Sequence, residues 1–392
     1  MPLHFTEHEL AKRRERVIEL MIARGLDGML MFRQESIYYL TGHDTFGYVY
    51  FQCLYLGADG RLALVSRAPE LRQARYTSMI TEAQVRVWTD GPDANPARTH
   101  LEPMLKEFGR RGSRLGIEWE AFGLTARNGI RVADALSGFC SLVDASELVS
   151  ELRAVKSDTE IAYVRKAAIL ADNALAEAVR LTRPGAFEGD ILAAMQGAVF
   201  KGDGDYPGNE FVIGSGPAAM LGRYHAGRRT LSDDDQLTIE FAGVYRHYHA
   251  CLMTTIKVGK PSKKHQDMFN LAVDCIEAVT EAIKPGRTVG EVFAAYERTV
   301  TSGGYGRRGA NPNLYHQCGY GLGTTFAPSW MDWPLMYRNN PVTIQPGMVF
   351  FVHPGVRDDS DGLVAAPGVT ILATTEGCQR ISEAPLHYLT SP

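Results

Sequence analysis

The segment Leu152-Arg-Ala-Val-Lys-Ser-Asp-Thr-Glu-Ile161 divides the chain into two parts with different patterns of secondary structure. Before it, helix-like and strand-like stretches alternate, which is typical of an α/β domain. After it comes a long amphipathic helix, and then strands that are neighbours in sequence and joined by short turns, which favours antiparallel pairing. We therefore predict an α/β domain over residues 1–155 and an α+β domain over residues 156–392.

In the first domain, Thr6-Glu7-His8-Glu9 has the form of a capping box and predicts the start of a helix that ends at Gly25. The apolar run over residues 28–32 predicts a buried strand. A second strand is predicted over residues 48–56, where aromatic side chains at alternate positions are expected to form a wall on one face. Ordinary core packing is the alternative for these rings. They are Phe46, Tyr48 and Tyr50.

In the second domain, hydrophobic periodicity predicts further helices and strands after the long amphipathic stretch. Helices are expected at 187–201 and 265–283, and strands at 208–214, 236–243, 247–259, 347–353 and 368–375.

The composition is that of an ordinary globular protein, with 45% hydrophobic and 22% charged residues and a formal net charge of −4. It gives no indication of a nucleic-acid or membrane partner. Six cysteines without a C-x-x-C pair predict reduced thiols rather than a disulfide framework or zinc site. No apolar run approaches the roughly 18 residues of a membrane span, and no signal peptide is evident, so we expect a cytoplasmic protein.

Six short segments, taken in order, resemble the creatinase, prolidase and aminopeptidase P family. The resemblance implies a creatinase-type N-terminal domain followed by a pita-bread catalytic domain, in which helices cover a curved antiparallel sheet. It also implies a homodimer in which the N-terminal domain approaches the neighbour's active site. The segments are Ile37-Tyr-Tyr-Leu-Thr-Gly42, Leu152–Ile161, Ile283-Lys-Pro-Gly286, Gly319-Tyr-Gly-Leu-Gly323, Gln345-Pro-Gly-Met-Val-Phe350 and Thr375-Glu-Gly377.

Metal-dependent members of this family hold two divalent ions with five side chains, four of them carboxylates. The resemblance places those five positions at Glu240, Cys251, Tyr320, His353 and Gly368, or Pro367 if the alignment slips by one. Two neighbouring dications need several anionic oxygens to offset their repulsion and lost hydration. We therefore predict no metal and no other cofactor, with a single ion on Cys251 and His353 as the alternative.

Within the family, Glu240-Phe-Ala-Gly-Val-Tyr-Arg-His-Tyr-His-Ala250 is similar to the corresponding segment of the metal-independent members, creatinase and ectoine hydrolase. The resemblance to creatinase assigns the catalytic histidine to His225, whose ordinary pKa suits proton transfer near neutral pH. Glu240 is expected to hold a cationic group, to orient a water or to attack the carbon itself. The alternative is a structural carboxylate paired with Arg223 or Arg246. His353 completes the predicted catalytic residues.

Five further side chains are predicted to bind the substrate: Phe46, Tyr48, His249, Tyr320 and His316. An aromatic wall from the neighbouring subunit would suit a cationic ligand through cation–π contact. For His249 and Tyr320 the alternative is that both are packed in the core.

These features predict a metal-independent hydrolase that cleaves a C–N bond of a small cationic or zwitterionic compound, similar to ectoine or creatine. The first alternative is an Xaa-Pro aminopeptidase or dipeptidase, which needs a metal site. The second is a non-catalytic protein that binds a small metabolite.

Overall fold

The computed structural model describes residues 3–223, 227–305 and 316–391. The chain separates into two compact units, Met1–Arg153 and Ala154–Pro392. Among the described helices, none combines the length and the apolar composition that a membrane crossing requires.

The first unit is a mixed α/β domain, as predicted. Its helices are α1 Glu7–Ala23, α2 Gln34–Thr41, α3 Ala68–Thr77, α4 Glu102–Glu107, α5 Ala126–Leu136 and α6 Leu148–Ala154, which reaches the division between the units. Its strands are β1 Gly28–Met31, β2 Cys53–Gly57, β3 Leu62–Arg67, β4 Val85–Trp88, β5 Arg114–Ile117 and β6 Ser141–Asp144. They form one sheet in the order β4-β3-β2-β1-β5-β6, in which β1 lies antiparallel to β2 and parallel to β5.

Local sequence signals explain how α1 begins. The hydroxyl of Thr6 accepts a hydrogen bond from the backbone N–H of Glu9, which confirms the predicted helix N-cap.

The strand predicted over residues 48–56 is wrong in its first half, because β2 begins only at Cys53. Residues Gly47–Val49 form a short 3₁₀ turn instead. The hydroxyl of Thr45 accepts a hydrogen bond from the N–H of Gly47, and this local contact favours a turn over a strand. Phe46 is 79% exposed, so the aromatic residues here do not form a wall on a strand face.

The second unit is α+β, as predicted. Its helices are α7 Asp158–Leu181, α8 Glu188–Lys201, α9 Lys263–Ala282 and α10 Val289–Ser302. Its strands are β7 Val212–Ser215, β8 Asp235–Tyr245, β9 Tyr248–Val258, β10 Gln317–Gly321, β11 Asp332–Tyr337, β12 Val349–Val352, β13 Val356–Asp358, β14 Leu363–Ala365, β15 Val369–Thr374, β16 Gly377–Arg380 and β17 Leu389–Ser391.

These strands form a four-stranded sheet in the order β17-β9-β8-β7 and a five-stranded sheet in the order β11-β10-β12-β15-β16. Strands β13 and β14 form a separate hairpin. Pairing is antiparallel throughout except between β17 and β9. A bridge between Met253 and Gly368 connects β9 to the segment just before β15, so the two larger sheets meet at this point.

The hairpin of β8 and β9 organises this unit. Its two-residue turn is Arg246-His247, where both residues have positive φ, 51° and 65°, as a type I′ turn requires. Helix α7 covers the hairpin, and Gly243 allows a close approach, since a Cβ there would lie 2.0 Å from the carbonyl oxygen of Ala167.

Candidate active site

A cavity of about 300 Å³ in the second unit is lined by side chains from both larger sheets. Glu240 comes from β8, Tyr320 from β10, and His353 from the residue directly after β12. The structure therefore brings together three of the side chains that the sequence singled out. The other lining residues are Asn209, Val212, Gly222, Arg223, Met253, Gln317, Ser329, Trp330, Met331 and Arg357.

Glu240 is the only carboxylate among the described residues that line this cavity. Burial raises its pKa to about 7, although the charge of Arg223 and the hydrogen bond from Tyr320 both act to lower it. Because this pKa lies near neutrality, the protonated and ionised forms of Glu240 are both accessible there.

A short hydrogen-bonded chain leads to Glu240. The indole N–H of Trp330 donates to the hydroxyl of Tyr320 at 2.8 Å. That hydroxyl donates to Oε1 of Glu240 at 3.4 Å. Burial raises the pKa of the Tyr320 phenol well above its usual value, so the hydroxyl keeps its proton and acts as a donor.

His353 presents a neutral imidazole at physiological pH, since burial lowers its pKa to about 4. Its ring stacks on Phe351, with centroids 4.8 Å apart, and meets the edge of Tyr320 at 5.1 Å. The Nε2 atom is buried and has no hydrogen-bond partner among the described residues. A ligand in the cavity can supply the partner that this nitrogen lacks.

His249 has a different environment. It is fully buried, and it is not among the described residues that line the cavity. Its Nε2 accepts a hydrogen bond from the N–H of Gly208 at 2.8 Å, and its Nδ1 lies 3.1 Å from the hydroxyl of Thr325. Burial lowers its pKa to about 3. Through these contacts His249 holds Gly208 in place, and the next residue, Asn209, lines the cavity.

The remaining predicted residues lie elsewhere. His316 is exposed and directly precedes β10, whose first residue, Gln317, lines the cavity. Phe46 and Tyr48 belong to the first unit, at the turn before β2. His225 lies outside the described residues.

The positions that the resemblance gives to metal ligands do not fit a pair of dications. Cys251 is fully buried, and burial together with the charge of Glu240 raises its pKa well above the usual value, so it is a protonated thiol. Gly368 offers no ligand, and a Cβ there would lie 2.9 Å from the Cβ atoms of His353 and Met253, which leaves no room for a carboxylate. Across residues 3–223, 227–305 and 316–391, no three His, Cys, Asp or Glu side chains are arranged to hold a metal ion.

Sequence reasoning missed some residues of the cavity, above all Arg357 on β13 and the amides of Asn209 and Gln317. The one signal for Arg357 is its place four residues after His353. Of the two arginines considered as partners of Glu240, Arg223 lines the cavity, whereas Arg246 donates to the hydroxyl of Tyr163 at 2.8 Å.

Comparison with known proteins gives matches to both units. The sequence profile described as metallopeptidase family M24 matches residues 162–381, and that of the creatinase/prolidase N-terminal domain matches residues 13–155. An ectoine hydrolase of Halomonas elongata is 26% identical over 98% of this chain and 97% of its own length. An Xaa-Pro dipeptidase of Pyrococcus horikoshii is 25% identical over 94% of this chain and 96% of its own length. The solved structure of dipeptidase PepE from Mycobacterium ulcerans superposes with a TM-score of 0.83 at 23% identity, covering 99% of each chain.

Proposed function

The chain belongs to metallopeptidase family M24 and is a hydrolase with a creatinase-type N-terminal domain, and we propose that it cleaves a C–N bond of a small cationic or zwitterionic compound without a metal ion. The observation that carries this proposal is the donor set at the five positions that the resemblance gives to metal ligands. Glu240 is the one carboxylate among them and also the one carboxylate among the described residues that line the cavity, and the other four positions carry a phenol, a neutral imidazole, a protonated thiol and a glycine.

Hydrolysis of an amide or amidine adds water to the carbon, breaks the C–N bond and places a proton on the leaving nitrogen. Glu240 in its ionised form takes a proton from the attacking water or attacks the carbon itself. Tyr320 donates a hydrogen bond toward the negative charge at this carboxylate. His353 offers its unpartnered Nε2 to a polar group of the substrate. We assign the transfer of the proton to the leaving nitrogen to His225, on the grounds of sequence resemblance.

The proposal extends to the surroundings of the site. His316, Phe46 and Tyr48 stay proposed substrate contacts, the last two from the neighbouring subunit of a homodimer. His249 is proposed to act indirectly, by holding Gly208 and the segment that follows it.

The alternative activity is that of an Xaa-Pro dipeptidase. A relative with that name is 25% identical to this chain, and the ectoine hydrolase is 26% identical. Identity does not separate the two activities. The donor set favours the C–N hydrolase, because the resemblance implies that a dipeptidase with paired dications has carboxylates where this chain has Cys251, His353 and Gly368.

The test is to incubate the protein with ectoine, creatine or a Pro-containing dipeptide and to monitor hydrolysis by NMR. The measurement is made before and after exhaustive chelation of metal ions. We expect one of the two nitrogen-rich zwitterions to be hydrolysed at the same rate in both samples, and Glu240→Gln to lower that rate by about 10²- to 10⁴-fold. Activity that disappears on chelation and returns with manganese or cobalt would contradict metal independence. Binding without turnover of any of the three would favour a non-catalytic protein.

A further inference from the structure

The buried ring of His249 lies between two loops of the second unit. One loop is residues 202–211, between α8 and β7, and the other is residues 322–331, between β10 and β11. The Nε2 atom accepts a hydrogen bond from the N–H of Gly208 in the first loop at 2.8 Å. The Nδ1 atom lies 3.1 Å from the hydroxyl oxygen of Thr325 in the second loop. His249 therefore connects the two loops through one side chain.

The hydrogen bond from Gly208 fixes the protonation of this ring. A backbone N–H can only donate, so Nε2 carries a lone pair, and the neutral ring has its hydrogen on Nδ1, beside the Thr325 hydroxyl. Burial lowers the pKa of His249 to about 3, so the ring keeps this form near neutral pH. The connection between the loops is therefore intact under the conditions in which the protein would act.

The two loops also meet where Gly208 packs on the backbone of Ser329 and Trp330. A Cβ added to Gly208 would lie 2.8 Å from the carbonyl oxygen of Ser329 and 3.2 Å from the nitrogen of Trp330. Only a residue without a Cβ allows this approach. The indole N–H of Trp330 donates to the hydroxyl of Tyr320 at 2.8 Å. The position of Gly208 therefore affects the group that orients Tyr320.

The hydrogen bond from Tyr320 to Glu240 is sensitive to small displacements. Its length of 3.4 Å exceeds the range of roughly 2.5–3.0 Å that is usual for O–H···O bonds. A movement of Trp330 by a few tenths of an ångström can therefore weaken it further. The neighbours of Glu240 on the adjacent strands, Val212 and Met253, offer no side-chain donor in its place.

We propose that His249 is a positioning residue: by holding the two loops together, it keeps Tyr320 hydrogen-bonded to the Glu240 carboxylate. The inference rests on the proposed function for the role of Glu240. His249 is not among the described residues that line the cavity, so its influence passes through the loops and not through contact with the substrate. Without this connection the ionised form of Glu240 loses the stabilisation that Tyr320 provides.

The experiment measures the ionisation of Glu240 directly, by infrared difference titration of its carboxyl band in the full-length protein. Glu240→Gln identifies the band by removing it. We expect His249→Leu, which has neither donor nor acceptor, to raise the pKa of Glu240 by about 0.5–1 pH unit, as the loss of one hydrogen bond implies. His249→Gln keeps an acceptor for Gly208 and should stay close to wild type. In a Tyr320→Phe background, His249→Leu should add no further change.

His265→Leu is the matched control, because His265 is also a fully buried histidine, bonded to the carbonyl of Val364 at 2.7 Å, and does not line the cavity. It should leave the pKa of Glu240 unchanged. If His249→Leu does not fold, Gly208→Ala tests the same connection, because its added Cβ would push against Ser329 and displace Trp330.

The proposal is overturned if neither His249→Leu nor Gly208→Ala changes the pKa of Glu240. It is also overturned if His249→Leu changes that pKa equally with and without Tyr320, or if His265→Leu changes it as much. The infrared titration needs no substrate and no turnover. Failure of the proposed function, seen as turnover that depends on a metal or as no turnover, is therefore distinguishable from failure of this inference.

Discussion

Glu240 determines the expected pH dependence of catalysis. Burial raises its pKa to about 7, and the proposed roles as base or nucleophile require its ionised form. The kcat/KM of wild type should therefore rise about tenfold per pH unit below neutrality, as Glu240 ionises. Glu240→Gln should lower kcat/KM by about 10²- to 10⁴-fold and remove this rise. The measurement is a rate profile between about pH 5 and pH 9.

Glu376→Gln is the control for this prediction, because Glu376 is exposed in the turn between β15 and β16. It should leave both the rate and the profile unchanged. A wild-type kcat/KM that does not change with pH across this range would rule out Glu240 as the titrating group.

The chain from Trp330 through Tyr320 to Glu240 gives a second prediction. The hydrogen bond from Tyr320 lowers the pKa of Glu240, so Tyr320→Phe should move the rise in kcat/KM to higher pH. Trp330→Phe should move it in the same direction by less, because the donor to the Tyr320 hydroxyl strengthens the next hydrogen bond. Tyr337→Phe, at an exposed tyrosine of β11, is the control. A shift to lower pH in either active-site variant would contradict this view of the chain.

At the scale of secondary-structure elements, the close contact between α7 and β8 depends on Gly243. A Cβ there would lie 2.0 Å from the carbonyl oxygen of Ala167 and 2.4 Å from the nitrogen of Ala171, both backbone atoms that cannot rotate away. Gly243→Ala should therefore lower the free energy of unfolding by about 1–3 kcal/mol or more, measured by urea denaturation.

Gly197→Ala is the matched control for the same change of residue. Gly197 lies inside α8, and a Cβ added to it would meet nothing within 4 Å. Because alanine favours the helix, the free energy of unfolding of this variant should rise by up to about 1 kcal/mol. Equal stability of the two variants would show that α7 can move away from β8.

Strand β8 and strand β9 were predictable to within two residues at each end, because long apolar stretches around a short polar turn specify a hairpin. The same reasoning failed at residues 48–52. Alternating aromatic residues there suggested a strand, but the contact between Thr45 and Gly47 forms a turn. A hydrogen bond from one side chain outweighs a weak periodic pattern, and hydrophobic periodicity does not detect it.

At the scale of the whole molecule, family resemblance identified Glu240, Tyr320 and His353, and the fold brings these three residues to one cavity. Arg357 was not predictable in the same way. It reaches the cavity through the hairpin of β13 and β14, and no local pattern distinguishes it from a surface arginine. The charge balance of the cavity depends on residues that are distant in sequence and meet only in the folded protein. The absence of space for a carboxylate at Gly368 has the same origin.

Burial of His249 in its neutral form should make the folded protein less stable in acid. The pKa of His249 is about 3 in the folded protein and near 6.5 in the unfolded chain, so between these values the unfolded chain binds more protons. The contribution of His249 to the free energy of unfolding is therefore complete above about pH 6.5 and is lost as the pH drops toward 3.

The variant His249→Gln keeps an acceptor for the N–H of Gly208 and removes the titrating imidazole. The difference in unfolding free energy between pH 7.5 and pH 5 should shrink by about 2 kcal/mol in this variant. Glu240 contributes with the opposite sign, since its raised pKa favours the folded state at lower pH, but it contributes equally to both proteins and cancels in the comparison. Urea denaturation at the two pH values measures the effect, and an unchanged difference would show that His249 is not buried as a neutral ring.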